Sequence, residues 1–311
     1  VTAFYAPLQQ EALLHINGPD ALAFLQGQTT CDTRKVDAGQ ATPGAYCTPK
    51  GRMVCDFLLL QLGPDHHALR MRRDILDHAA ATFGKYIVFS KAEIETQRTD
   101  WQVIGCWGDE LKDRLNRLGI TSPGERYGVS AGEGYVLVQL DDAGTQYEAY
   151  IDMQQHAEHF AALEDALQAG TESAWQAQQI RAGIGRVEAA TIEEFLPQML
   201  NYDVTGHVSF NKGCYTGQEI VARLHYRGKA KRRMYLAGLN AAAPIPAGTS
   251  LYSPGSDQAT GTVVNSSVDE HKCLCLVSAT ESGIASGLYP EGTDSLLILA
   301  SLPYTLAEDG A

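Results

Sequence analysis

No apolar run in this sequence outlasts a single strand, and that bounds what the chain can fold into. The longest runs, Phe57-Leu58-Leu59-Leu60 and Leu296-Leu297-Ile298-Leu299, fall far short of the ~20 residues a membrane helix needs. The core must therefore be assembled from many short elements. Strand-like stretches are read at residues 12–17, 46–47, 53–62, 68–71, 101–106, 135–140 and 147–152. Helical periods are read at 74–83, 110–118, 156–169 and 172–182, with a shorter helix opening at Gly18-Pro19-Asp20. Beyond residue 232 the helical period stops. Short strands at 233–239, 261–268, 273–277 and 296–301 are separated by Gly, Pro, Ser and Asn, the pattern of a small antiparallel barrel or sandwich. The fold class expected is α+β. A domain boundary is placed near 235 and a softer one near 100, giving parts 1–100, 101–234 and 235–311.

The chain has 311 residues and carries 24 Lys and Arg against 37 Asp and Glu, a net charge of −13. That balance opposes broad contact with polyphosphate, so direct nucleic-acid binding would need a local basic patch. The N-terminus shows no basic stretch followed by an apolar one, so neither a signal peptide nor a membrane partner is expected. The seven cysteines, at 31, 47, 55, 106, 214, 273 and 275, are scattered rather than framed. This usage suits a reducing compartment.

The segment Asn211-Lys212-Gly213-Cys214-Tyr215-Thr216-Gly217-Gln218-Glu219 carries the most chemistry. Thr216 and Glu219 stand at capping-box spacing ahead of apolar Ile220, Val221 and Leu224, so a helix is expected to begin there. A thiol just before it feels the partial positive charge of the helix end, and Lys212 adds a full one. Both favour the thiolate. The competing reading is a small buried cysteine in a Gly-containing turn. Downstream, Arg223, Arg227, Lys229, Lys231, Arg232 and Arg233 form a basic run. It is either an anion-binding wall for carboxylates or phosphates, or a solvated edge in which Arg223 pairs with Glu219 four residues before it.

The pattern Phe210-x-Lys212-Gly213-Cys214-Tyr215-x-Gly217-Gln218-Glu219, followed by Ala222-Arg223 and Tyr226-Arg227-Gly228-Lys229, resembles the signature of the YgfZ family of folate-binding proteins. These are relatives of the glycine-cleavage aminomethyltransferase and of mitochondrial iron–sulfur assembly factors. Other segments fit in order: Leu25-Gln26-Gly27-Gln28-x-Thr30, Lys50-Gly51-Arg52-Met53, Lys85-Tyr86-x-Val88-Phe89-Ser90-Lys91, Ala182-Gly183-Ile184, Phe195-x-Pro197-Gln198, and Leu302-Pro303-Tyr304. The resemblance implies a three-domain ring like that of the aminomethyltransferase, ending in a small antiparallel β-barrel. It implies tetrahydrofolate as cofactor, iron–sulfur client enzymes as partners, and a cytoplasmic setting, or a mitochondrial matrix one. It assigns Cys214 and Lys212 to the chemistry, and Trp175, Tyr215, Gln218, Glu219, Arg223 and Arg227 to the ligand.

Departures from the transferase narrow the function. Arg181 stands where the transferase has the Glu that holds the pterin, and Arg offers no acceptor. The transferase's paired aspartates match only Cys55-Asp56, which leaves Asp56 as a lone acid/base, or as an outward-facing strand residue. An accessory protein is therefore expected, with a folate-dependent one-carbon transferase and an RNA-binding module as alternatives. No metal site is expected. Cys273-x-Cys275 is too closely spaced for zinc and reads as core, and His66-His67 follows Gly63-Pro64-Asp65, which reads as an exposed turn, with no further ligands nearby.

Overall fold

The alternating pattern becomes three sheets with helices against them. A computed structural model describes residues 2–269 and 272–306. It is a mixed α/β chain in two compact units. The first unit holds residues 1–44 and 57–175, the second 45–56 and 176–311.

In the first unit one sheet orders its strands Gln168–Ala169, Phe4–Pro7, Trp101–Trp107, Gln146–Asp152, Tyr135–Gln139, Val129–Gly132. The other orders Thr42–Cys47, Met53–Gly63, His66–Arg72, Glu11–Asn17, Glu93–Glu95, and the hairpin end of its first two strands belongs to the second unit. Strand alternation decides the layering. Leu13, Leu58, Leu60 and Ala68 meet Val103, Val136, Val138 and Tyr150 in one core between the sheets. Ile104, Cys106, Tyr147 and Ala149, on the opposite face of the first sheet, pack on Leu111, Leu115 and Leu163 of two helices.

A charged pair is closed into the core between these sheets. Arg70 donates to Glu148 at 2.9 Å and lies 3.6 Å from Glu11, and the Tyr150 hydroxyl also donates to Glu148. Burial works against the Arg70 charge, but Glu148 and Glu11 outweigh it and hold the guanidinium protonated. A buried pair of this kind adds little net stability. It penalises misregistered packing, because either partner alone would be an uncompensated charge.

The turn read at Gly63-Pro64-Asp65 is present and exposed, but the histidines after it are drawn inward. The turn is Pro64-Asp65, with Asp65 at φ 52, and both histidines open the strand that follows it. Pairing of that strand with Glu11–Asn17 carries His67 inward and brings His66 Nε2 within 2.9 Å of His15 Nδ1.

The second unit contains an antiparallel sheet ordered Tyr289–Pro290, Ser250–Tyr252, Gly261–Asp269, Lys272–Ala279, Arg233–Leu239, Ile298–Ala300. Among the described residues it is an open half-barrel rather than the closed barrel expected, since its two outer strands do not pair with each other. Cys275, Val263, Val277 and Leu251 form its core, and Cys273 is buried too, in line with a core role for both thiols. The C-terminal Leu302-Pro303-Tyr304 returns to Gly183. The Tyr304 hydroxyl donates to the Gly183 carbonyl at 2.8 Å, and its ring occupies the space a Gly183 side chain would need.

Candidate functional site

Two motifs far apart in sequence meet in the second unit. The Thr48–Arg52 turn is closed by Thr48 N–H to Arg52 O and Gly51 N–H to Thr48 O, both 2.8 Å. Met53 exchanges backbone hydrogen bonds with residues 193–195. Against this turn lies the start of the Gln218–Arg227 helix. A β-carbon on Gly217 would stand 2.5 Å from the Thr48 carbonyl oxygen, and one on Gly51 would stand 3.0 Å from Ile220. Both glycines have positive φ, 85° and 75°. The two glycines therefore let backbone lie on backbone, and this contact sets where the helix begins.

The same contact displaces the capping box. The helix starts at Gln218 with left-handed Gly217 as N-cap and no side-chain cap, so Thr216 falls outside it. The helix end is where the sequence placed it, but backbone packing rather than a hydroxyl builds it. Gln198 holds the helix from below, donating to the Val221 carbonyl at 2.8 Å.

Cys214 lies three residues before that cap and is the one exposed cysteine of the seven. Lys212 is buried, with its ammonium 5.1 Å from the centre of the Tyr215 ring. Tyr215 is itself buried, and burial pushes its hydroxyl pKa up. The pair anchors the two residues flanking Gly213-Cys214 and leaves the thiol outside. Gln218 is half-buried on the first turn and Glu219 is exposed.

The outer face of the helix carries Glu219, Arg223, Tyr226 and Arg227 at i, i+4, i+7 and i+8, all exposed. Glu219 and Arg223 form no ion pair among the described residues. The basic run divides. Lys229 pairs with Glu281 at 3.0 Å, Arg233 with Asp203 at 2.8 Å, and Arg232 reaches Thr262 Oγ1 at 3.3 Å. Arg223, Arg227 and Lys231 make no ion pair among the described residues and face solvent. Phe210 stacks on His225 at 3.7 Å, with Tyr226 edge-on and 65% exposed. This aromatic group was not singled out from sequence. Its signal was the spacing of Phe210, His225 and Tyr226 around the motif.

Asp56 is not an outward-facing residue. It is 1% exposed, accepts from the Val187 N–H at 2.6 Å, and its other oxygen is held by Arg186. Arg186 is fixed only by the fold, and no local pattern pairs it with Asp56. A carboxylate with both oxygens engaged is a poor acid or base for a substrate. Arg181 forms an ion pair with Asp269. Trp175 is 3% exposed in the first unit. Its ring covers Gly105, where a β-carbon would be 2.5 Å away, and it leans on Trp107 at 5.8 Å.

The fold is similar to that of the glycine cleavage system aminomethyltransferase T from Bartonella henselae. The TM-score is 0.77 at 15% identity, covering 97% of this chain and 86% of that one. No family model matches the sequence. Curated relatives do: the tRNA-modifying protein YgfZ of Yersinia pestis (strain Pestoides F) is 32% identical over 307 residues, spanning 97% of this chain and 92% of its own length. The protein of the same name from Sodalis glossinidius is 32% identical over 314 residues, at 97% and 93% coverage. With the Lys-Gly-Cys-Tyr segment and its partner turn in place on an aminomethyltransferase-like fold, and identity at this level along nearly the whole chain, this protein belongs to the YgfZ family.

Proposed function

We propose that this chain is a tetrahydrofolate-binding accessory protein that supports assembly or repair of iron–sulfur enzymes in the cytoplasm, tRNA-modifying ones among them, with Cys214 as its working thiol. The observation that carries the reading is the contrast among the cysteines. Six are buried, while Cys214 alone faces solvent, between anchored neighbours and next to a helix end. An exposed thiol held at a helix terminus suits exchange with a partner's sulfur or metal better than it suits packing. The relatives' name, tRNA-modifying protein, agrees with clients of that kind.

The ligand side of the reading rests on the exposed helix face. Arg223 and Arg227 offer guanidinium forks to the carboxylates of a glutamate tail. Gln218 and Glu219 present acceptors to the N–H edge of a pterin. Lys212 and Tyr215 are buried and act by holding the loop. Trp175, packed over Gly105, contributes by supporting the first unit rather than through an open ring face. The one-carbon transferase alternative is weakened by Asp56, whose oxygens are already taken by Arg186 and Val187. The three-part division into 1–100, 101–234 and 235–311 and the ring arrangement belong to this same reading.

Two measurements test it. Calorimetric titration with tetrahydrofolate should give saturable heat, and a flat trace removes folate from the account. Cells lacking the native protein should recover iron–sulfur enzyme activity with the wild-type gene and not with Cys214→Ser. Full rescue by the serine variant removes the thiol.

A further inference from the structure

In the first unit, away from the cysteine motif in sequence, three ligating side chains converge where the chain enters the Glu158–Ala166 helix. One nitrogen of His156, one of His159 and a carboxylate oxygen of Glu158 lie within 4.8 Å of one another. Neighbouring backbone orients both imidazoles. Gly134, in the turn between strands Val129–Gly132 and Tyr135–Gln139, has φ 75, and a β-carbon there would stand 2.1 Å from the His156 ring. The ring thus lies across a gap that only glycine leaves. The same turn receives the second histidine: His159 Nε2–H donates to the Glu133 carbonyl at 2.8 Å, and its ring rests edge-on against Tyr135.

That hydrogen bond has a chemical consequence. A neutral imidazole that donates from Nε2 carries its lone pair on Nδ1, and a backbone carbonyl is a common outer partner for a metal-bound histidine. His156 Nδ1 stands 3.1 Å from Glu158 Oε1. Ligand atoms around tetrahedral zinc are separated by about 3.3 Å, so this pair is already at ligand spacing. The exposed Glu158 side chain can rotate to adjust its own distances to the two imidazoles, all three ligand atoms already lying within 4.8 Å of one another. The full negative charge of Glu158 offsets the partial positive charge of the helix terminus, about half a unit.

We propose that His156, Glu158 and His159 form a binding site for a zinc-class divalent cation, with water or a donor from another molecule at the open position. Two imidazoles and a carboxylate favour zinc over magnesium or calcium, which prefer all-oxygen shells. On binding, His156 carries its single proton on Nε2 and turns the Nδ1 lone pair to the cation.

The test is calorimetric titration of the full, untagged chain with Zn2+, run in parallel on Cys214→Ser to remove the exposed thiol as a competing ligand. One equivalent should bind in both, unmoved by millimolar Mg2+. His159→Ala and Glu158→Gln should each weaken it at least tenfold, with circular dichroism unchanged. Absence of binding, binding that survives both substitutions, or binding lost in Cys214→Ser overturns the proposal.

Discussion

Replacing Cys214 with serine should remove the fast thiol of this protein and leave its stability alone. Burial pushes the thiols of Cys47, Cys106 and Cys275 up to about 12. At pH 8 such a group is thiolate in roughly one molecule in 10⁴. Cys31, Cys55 and Cys273 are buried as well. A reagent reaches any of these six only after local opening, and an opening of about 5 kcal/mol slows reaction by a further three to four orders of magnitude. Cys214 needs no such opening, because it is exposed. For the same reason, the change of Sγ to Oγ should alter stability by less than about 0.5 kcal/mol, which is roughly 1 °C in Tm for a chain of this size. The assay is native-state alkylation with iodoacetamide followed by intact mass, alongside a thermal melt. Wild type should gain one adduct quickly and the serine variant none. A second fast adduct in the variant, or a drop of several degrees in Tm, would refute the reasoning and return Cys214 to the role of a packing residue.

Four other outcomes follow from the geometry. Glu148→Ala leaves buried Arg70 with only the more distant Glu11 carboxylate, 3.6 Å away, so urea unfolding should show a loss of about 3 kcal/mol; a loss below about 1 kcal/mol would mean that Glu11 or water replaces the lost partner. Gly217→Ala combines a left-handed φ with a carbonyl contact at 2.5 Å and should cost more than about 1 kcal/mol, whereas Gly213→Ala, with open space around it, should be near neutral in the same assay. Burial pushes His15 down to about 3 and His66 to about 4, from 6.5. The unfolded chain therefore binds more protons than the fold below pH 6.5, and stability should fall from pH 6.5 to 4, by up to about 1.4 kcal/mol per pH unit for each group; urea midpoints in His66→Gln should show a shallower slope. Polyglutamylated folate should bind tighter than the monoglutamate, and Arg223→Glu with Arg227→Glu should erase the difference; a difference that persists makes the patch a solvated surface.

Much of the site was readable because it is local. Helix onset near Gln218 and the basic residues at 223 and 227 depend on residues within about fifteen positions of one another, and spacing along one helix is geometry that sequence carries directly, whereas the exposure of Cys214 was left open there. The strand at Arg233–Leu239 and the helix at Glu172–Arg181 were legible for the same reason, since their apolar period and flanking residues agree. The family followed from ordered motifs along nearly the whole chain.

What failed in the sequence reading was whatever a distant partner decides. Thr216 and Glu219 have capping-box chemistry, but Thr48 O sits where Gly217 needs to be glycine, so the cap is backbone. Asp56 alternates outward on paper and is buried because Arg186, 130 residues away, comes to hold it. His66 reads as the residue after an exposed turn until strand pairing sets it against His15. Whether the C-terminal sheet closes depends on whether two edge strands reach each other, which no window of sequence contains. Sequence alone determined most of the longer elements and which family they serve, because period and motif order are properties of neighbours along the chain, while short strands such as Phe4–Pro7, Val129–Gly132 and Gln168–Ala169 were fixed by their sheet partners. Tertiary structure decided which polar groups are free and which are already taken, because a hydrogen bond or ion pair depends on distance in space, and only packing sets that distance.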